Sequence, residues 1–109
     1  MVKQGDIIKI NLNPKKGHEQ QGYRPYICLS HEVISKISNI AIFAPISHTE
    51  RDYPFYIPIK NASTTGKILL DQLVAVDYNA RKCIYVETVE EELLDELLMK
   101  AKALFQKNS

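Results

Sequence analysis

The hydrophobic pattern of this chain changes period near its C-terminal end, and this change limits the folds that it can adopt. Over residues 6–12, Ile8, Ile10 and Leu12 share one face, opposite Ile7 and Lys9, which is the alternation of a half-buried strand. Other short apolar segments follow, each bounded by proline, glycine, asparagine or a charged cluster, at residues 25–30, 40–45, 54–59, 66–70, 73–78 and 82–87. Many short strands at this spacing favour a small barrel or a strongly curled antiparallel sheet.

After these segments the apolar residues recur with helical spacing. One stripe contains Leu93, Leu94, Leu97, Leu98, Ala101, Leu104 and Phe105. Thr88, three residues before Glu91, predicts a capping box at the start of this helix. We expect the helix to cover the apolar face of the barrel, and a second, short helix over residues 31–37. The predicted fold class is therefore mainly β with α, about seven strands and a C-terminal helix, in one domain spanning residues 1–109.

Composition and charge indicate the cellular compartment and the kinds of binding partner to expect. No apolar run approaches the roughly 20 residues that span a bilayer, and residues 1–6 lack the apolar region of a signal peptide, so we expect a cytoplasmic protein with no membrane contact. Cys28 and Cys83 each lie in an apolar run without the spacing of a metal site, which predicts reduced, buried core cysteines. The net charge is +1, but residues 1–60 carry +3 and residues 61–109 carry −2. This asymmetry permits a polyanionic partner without requiring one.

The segment 17–25 concentrates reactive side chains. It places an imidazole, a carboxylate, two amides, a phenol and a guanidinium within nine residues, with glycine at positions 17 and 22 and proline at 25. Such a segment is typical of an exposed loop, where binding and catalytic groups often lie. A base beside an always-charged arginine suits chemistry on a phosphodiester. The alternative is a solvated hairpin loop whose charges have no chemical role.

Motifs spread over the chain make it resemble the MazF/PemK family, the messenger-RNA-cleaving toxins of bacterial toxin–antitoxin pairs. Residues 13–22 (NPKKGHEQQG) are similar to the family loop D-P-x-x-G-x-E-Q-x-G, closest to its PemK/Kid-like branch. The other similar motifs, in chain order, are Gly5-Asp6-Ile7, Arg24-Pro25, Ala44-Pro45-Ile46-Ser47, Tyr53-Pro54-Phe55, Thr65-Gly66 with Asp71-Gln72, and Asp77 with Ala80-Arg81.

This resemblance implies an SH3-like antiparallel barrel with a C-terminal helix, working as a homodimer. It implies sequence-specific cleavage of single-stranded mRNA without a metal or other cofactor, which inhibits translation and growth. It also implies a cognate antitoxin whose acidic tail blocks the RNA groove, with DNA contacted only through that antitoxin. RNA cleavage without a metal proceeds by attack of the 2′-hydroxyl on the adjacent phosphorus and leaves a 2′,3′-cyclic phosphate and a 5′-hydroxyl.

The resemblance and this chemistry together assign the catalytic roles. Arg24 is predicted to clamp the phosphate and to serve as proton donor to the leaving oxygen; its alternative role is a surface ion pair with Glu19. Ser47 stands where the family usually has threonine and is predicted to hydrogen-bond the scissile phosphate; an ordinary strand-end hydroxyl is the alternative. The base remains open among His18, Glu19 and Asp71. Asp71 has the further alternatives of organising its loop or reading a base, because Leu69 replaces an arginine that the PemK-like branch carries.

Other residues are predicted to bind RNA around this centre. Lys15, Lys16 and Arg51 would hold flanking phosphates. Tyr23, Tyr53 and Phe55 would stack on unpaired bases, with core packing as the alternative for Phe55. His48 would line the groove or remain solvated, and the motif residues Gln20, Thr65 and Gln72 complete the predicted RNA-binding set. The three histidines, His18, His31 and His48, are too scattered for a metal site, and none is predicted.

Two other functions fit the same fold. A gyrase poison of the CcdB type would act by binding a protein and would not need an arginine, a hydroxyl and a base together. A catalytically inactive barrel that binds only RNA or an antitoxin is the second alternative. The nuclease hypothesis requires Arg24 and Ser47 to share a cleft.

Overall fold

The computed structural model describes residues 2–12 and 22–109, and within them seven strands form one sheet in which every pairing is antiparallel. The strands are β1 (Asp6–Asn11), β2 (Tyr23–Cys28), β3 (Ile40–Ser47), β4 (Tyr56–Pro58), β5 (Lys67–Leu69), β6 (Val74–Asp77) and β7 (Cys83–Thr88). The helices are α1 (Glu32–Ser38) and α2 (Glu91–Ala103). The predicted fold class, antiparallel β with a C-terminal helix, is confirmed, and each predicted strand overlaps an observed one.

Strand β3 organises the sheet, whose order is β4-β5-β3-β2-β1-β7 with β6 also paired to β3. One edge of β3 pairs with β2. On its other edge, residues 40–43 pair with β6, whereas Ile46 and Ser47 pair with β5. Ala44 and Pro45 lie between these two pairings, and proline has no N–H with which to extend a ladder. The C-terminal end of β3 therefore lies where β2, β5 and the start of β6 approach one another.

Side chains from both faces of β1 are buried, and they belong to two separate clusters of the core. Ile7 is fully buried in a cluster that includes Leu93 and Leu97 of α2. Ile8 and Ile10 point to the other face and belong to a second cluster with Phe43 and other residues. The alternation along β1 is confirmed for Ile8 and Ile10, whereas on the opposite face Ile7 is buried in the cluster that includes α2 and Lys9 is exposed.

The predicted capping box at Thr88 is wrong. Thr88 is the last residue of β7, and its Oγ1 donates to Oδ1 of Asp6 at 2.7 Å. Helix α2 begins at Glu91, after the cap residue Glu90, whose side chain makes no capping hydrogen bond. A contact between residues 82 positions apart thus replaces the local cap.

Two other expectations need correction. Helix α2 ends at Ala103, so Phe105, predicted in its apolar stripe, lies beyond it and is 77% exposed. Cys28 is buried as predicted, but Cys83 is only partly buried; both are free thiols, and burial raises the pKa of each. Among the described helices none has the length and hydropathy needed to cross a bilayer.

Candidate functional site

An open cleft of about 680 Å³ lies at the C-terminal end of β3. Its walls come from the first half of β2, the end of β3, the loop before β5, and the 3-10 turn Leu70–Gln72 with the start of β6. The polar side chains that line it belong to Arg24, Tyr26, Ser47, His48, Thr65 and Gln72. Guanidinium, hydroxyl and imidazole groups therefore face one open space.

The register between β2 and β3 explains why Arg24 and Ser47 meet. Tyr26 lies opposite Pro45 in this antiparallel pair. In an antiparallel pair, moving two residues back along β2 and two residues forward along β3 brings Arg24 opposite Ser47. Since side chains two residues apart share a face of the sheet, these two side chains project from the same face of neighbouring strands. The convergence that the nuclease hypothesis requires is present.

His48 and Thr65 form one wall of the cleft. The Nε2 atom of His48 lies 2.8 Å from Oγ1 of Thr65, within hydrogen-bond distance. Gly66 follows at φ 118°, and a Cβ there would lie 2.8 Å from the backbone oxygen of Ser47. This position therefore requires glycine, both for its dihedral angle and for its close approach to β3. His48 and Thr65 both line the cleft, and lining the groove is one of the two alternatives considered for His48.

Glu87, which the sequence analysis did not single out, holds the loop that carries Thr65. We call residues 61–66 the 61–66 loop. Oε1 of Glu87 accepts from the backbone N–H of Ser63 at 3.1 Å, and Oε2 accepts from the N–H and hydroxyl of Thr64 at 2.6 and 2.5 Å. The hydrogen bond from the Thr64 hydroxyl, with the two backbone bonds, lowers the pKa of the Glu87 carboxyl below its ordinary value. No local motif links Glu87 to a loop more than 20 residues away, so sequence pattern gave no signal for this contact.

Asp71 and Gln72, two neighbouring residues predicted at the site, differ in their position relative to the cleft. Gln72 lines the cleft, and its Nε2 donates to the hydroxyl of Tyr56 at 3.3 Å. Asp71 is exposed on the same turn but is not among the described residues that line the cleft. Leu69, which stands in place of the branch's arginine, does line it.

Aromatic rings lie beside the cleft and are capped by an arginine. The Arg51 guanidinium carbon lies 4.9 Å from the ring centre of Tyr53 and 5.7 Å from that of Tyr56. Tyr53 also packs edge-on against Phe55, which is partly buried against the core. The Nζ of Lys67 donates to the backbone oxygen of Arg51 at 2.8 Å. Core packing, the alternative considered for Phe55, is thus observed, whereas Arg51 has its guanidinium on the rings.

The remaining predicted site residues lie either outside the cleft lining or outside the described residues. Tyr23 begins β2 and pairs with Asn11, outside the cleft lining. The predictions for Lys15, Lys16, His18, Glu19 and Gln20 lie outside the described residues. Within the described ranges, no three histidine, cysteine, aspartate or glutamate side chains form a group that could hold a metal ion.

The fold and the cleft define a small antiparallel β protein in which guanidinium, hydroxyl and imidazole groups line one open cleft. The sequence model of the family described as "PemK-like, MazF-like toxin of type II toxin-antitoxin system" matches residues 3–105. The chain belongs to this family, and the resemblance inferred from its motifs is confirmed.

Individual relatives agree with this assignment. The chain is 32% identical over 98 residues to the endoribonuclease toxin MazF of Escherichia coli (strain K12), covering 90% of this chain and 86% of that protein. It is 28% identical over 102 residues to the endoribonuclease PemK of Escherichia coli, covering 89% and 77%. A chain of the MazE-MazF crystal structure (Form-II) from Deinococcus radiodurans shares the fold, with a TM-score of 0.80 at 19% identity, over 97% of this chain and 96% of that one.

Substitution of Gly66 tests the wall of the cleft. Gly66→Ala is expected to destabilise the protein by about 1–3 kcal/mol and to reduce RNA cleavage, because the new Cβ meets the Ser47 backbone and the dihedral angle is strained. Gly5→Ala is the matched control: its φ is 93°, but its Cβ would meet a Leu94 methyl carbon at 3.4 Å, far from the cleft lining. Cleavage rates at equal folded fraction, with stability from urea denaturation, separate the two effects. Equal loss of cleavage in both variants would contradict a local role for Gly66.

Proposed function

We propose that this protein is a sequence-specific endoribonuclease toxin that cuts single-stranded mRNA without a metal and thereby inhibits translation and growth. The endoribonuclease class predicted from the sequence is confirmed by the family and by relatives that are named endoribonucleases. The single observation that supports the mechanism is the placement of Arg24 and Ser47 on one face of two neighbouring strands, in one cleft.

The proposed reaction transfers the phosphorus from the 5′-oxygen of the next nucleotide to the neighbouring 2′-hydroxyl. The 2′-hydroxyl attacks the adjacent phosphorus, and its proton goes to a base drawn from His18, Glu19 and Asp71. The bond to the 5′-oxygen breaks, and that oxygen takes a proton, for which Arg24 is the candidate donor. Meanwhile the Arg24 guanidinium binds two phosphate oxygens and the Ser47 hydroxyl donates to another, which stabilises the charge that grows in the transition state. The products are a 2′,3′-cyclic phosphate and a 5′-hydroxyl.

Side chains around this centre would hold the rest of the strand. Thr65, His48 and Gln72 offer hydrogen-bond donors and acceptors along the cleft. The Arg51 guanidinium, lying on Tyr53 and Tyr56, offers a flat cationic surface on which an unpaired base can stack. Both features suit a single strand, whose bases are free to turn towards the protein.

The proposal extends to assembly and location. A cognate antitoxin is the confirmed partner, since the family is that of type II toxin–antitoxin systems. We propose in addition that residues 1–109 act as one domain, that two copies form a homodimer, that DNA is reached only through the antitoxin, and that the protein works in the cytoplasm, where mRNA is translated. Light scattering of the purified chain measures the dimer directly.

One experiment tests the reaction. The purified protein is incubated in EDTA with a long single-stranded RNA, and the new ends are mapped by primer extension. We expect cuts at discrete positions with cyclic-phosphate and 5′-hydroxyl termini. A matched RNA with 2′-deoxyribose at one cut position should resist cleavage there and be cut normally elsewhere. Equal cutting of the deoxy position, or loss of all cutting in EDTA, contradicts the mechanism. Intact RNA accompanied by gyrase-dependent DNA breaks would favour the gyrase alternative.

A further inference from the structure

Glu87 holds the 61–66 loop without itself lining the cleft. Its carboxylate accepts three hydrogen bonds from Ser63 and Thr64, and at the beginning of the loop the Nδ2 of Asn61 donates to Oε1 of Glu90 at 3.1 Å. Asn61 itself has a positive φ of 57°. The alternating residues 61, 63 and 65 are exposed, so core packing contributes little to the loop conformation. These polar contacts with β7 and the residues after it therefore carry most of its order.

The same loop places Thr65 in the cleft. Thr65 directly follows the residue that Glu87 binds most closely, and its Oγ1 lies 2.8 Å from Nε2 of His48. The loop is closed at its base, where the Ile59 N–H donates to the Gly66 oxygen at 3.0 Å. Glu87 is thus connected to the cleft wall through one continuous stretch of backbone, from residue 63 to residue 66.

We propose that Glu87 is a positioning residue for substrate selection: by holding residues 63 and 64 it fixes Thr65 against His48, so that this pair selects the nucleotide beside the scissile linkage. This inference rests on the proposed function. A threonine hydroxyl and a neutral imidazole each offer a donor and an acceptor, which is the chemistry needed to read the edge of an unpaired base. When the pair is held in one orientation, it favours bases whose donors and acceptors are complementary to its own. When the pair is free to move, it loses that preference.

A carboxylate is required at position 87 because all three incoming groups are donors. Glutamine would present an NH₂ group in place of one oxygen, so one of the donors would lose its acceptor. Aspartate keeps both oxygens but is one CH₂ shorter, so it cannot reach Ser63 and Thr64 from the same backbone position. Glu87→Gln is therefore the informative variant. Glu92→Gln, at an exposed position of α2, is the control with the same charge change.

The test compares cleavage of a preferred oligonucleotide with cleavage of oligonucleotides changed at one base beside the cut. In Glu87→Gln we expect KM for the preferred oligonucleotide to rise about tenfold, with kcat nearly unchanged, as for the loss of about 1.4 kcal/mol of hydrogen bonding. The preference for the parental base should fall by a similar factor. Thr65→Val should do the same, and the double variant should be no worse than Thr65→Val alone, because both act through one contact. Glu92→Gln should retain the parental values.

A second measurement is independent of activity. The imidazole signals of His48 in NMR spectra of the RNA-free protein should shift in Glu87→Gln and in Thr65→Val, and remain in place in Glu92→Gln. An unchanged base preference in Glu87→Gln, with only a lower melting temperature, would overturn the inference and leave the nuclease function intact. Unchanged His48 signals in that variant would overturn it as well. If the parent protein fails to cut RNA at all, the proposed function is wrong, and the NMR comparison still decides whether Glu87 positions the pair.

Discussion

Replacement of Arg24 by alanine is expected to lower the rate of RNA cleavage by about 10²–10³-fold, the usual cost of removing one group that stabilises transition-state charge. Arg24 is exposed at the mouth of the cleft and lies across from Ser47, so its loss removes the cation without disturbing the core. Cleavage of a short oligonucleotide under single-turnover conditions measures the chemical step directly. The melting temperature should stay close to that of the parent protein.

Two variants sharpen the interpretation of this result. Arg24→Lys keeps the charge but loses the planar pair of donors, so we expect it to recover only part of the lost rate. Lys36→Ala removes an exposed cation on α1, outside the cleft lining, and should leave the rate within about threefold of the parent. Parental activity in Arg24→Ala, with the same RNA ends, would show that the phosphate is held by another group.

The second large effect is expected in the core. Phe43 is fully buried on β3 and packs edge-on against Tyr78, with ring centres 6.5 Å apart. Phe43→Ala should lower the free energy of unfolding by about 3–5 kcal/mol, because it removes a large buried ring and leaves a cavity. That is a substantial part of the roughly 5–15 kcal/mol that stabilises a domain. Urea denaturation, followed by circular dichroism, provides the measurement.

The neighbouring residue provides the control for this prediction. Ile42 lies on the same strand with its side chain on the opposite face, where it is 37% exposed. Ile42→Ala should therefore cost no more than about 1 kcal/mol. A similar loss in both variants would mean that the face of β3 that carries Ile42 is also covered in solution.

Local pattern predicted the elements of this fold well, because strands and helices differ in the period of their buried residues. The alternation along β1 and the stripe of α2 both follow from residues close in sequence. Thr88 shows where this reasoning fails: its spacing to Glu91 fits a helix cap, but pairing with β1 and the bond to Asp6 keep it in a strand. A sequence pattern read over a few neighbouring residues cannot reveal a hydrogen bond between residues 82 positions apart.

In the candidate site, too, the sequence predicted residues that lie in motifs and did not predict contacts that depend on the fold. Motifs led to Arg24 and Ser47, and the register of β2 and β3 brings them together. Gln72 and Asp71 are neighbours in sequence, yet the tight turn that carries both brings only Gln72 to the cleft. Glu87 could not be predicted because its hydrogen-bond partners, Ser63 and Thr64, lie 24 and 23 residues earlier in the chain, beyond any local pattern.

The pairing of β3 with two strands along one edge has a consequence for how such a groove can diversify. A one-residue insertion within β3 would shift its register against β2 and against either β6 or β5, and would turn half of its side chains to the wrong face. The 61–66 loop has no strand register to keep, and its exposed side chains can change while the contacts of residues 63 and 64 with Glu87 are retained. New substrate preferences are thus more accessible through side-chain changes in that loop than through changes in β3, the strand that carries Ser47.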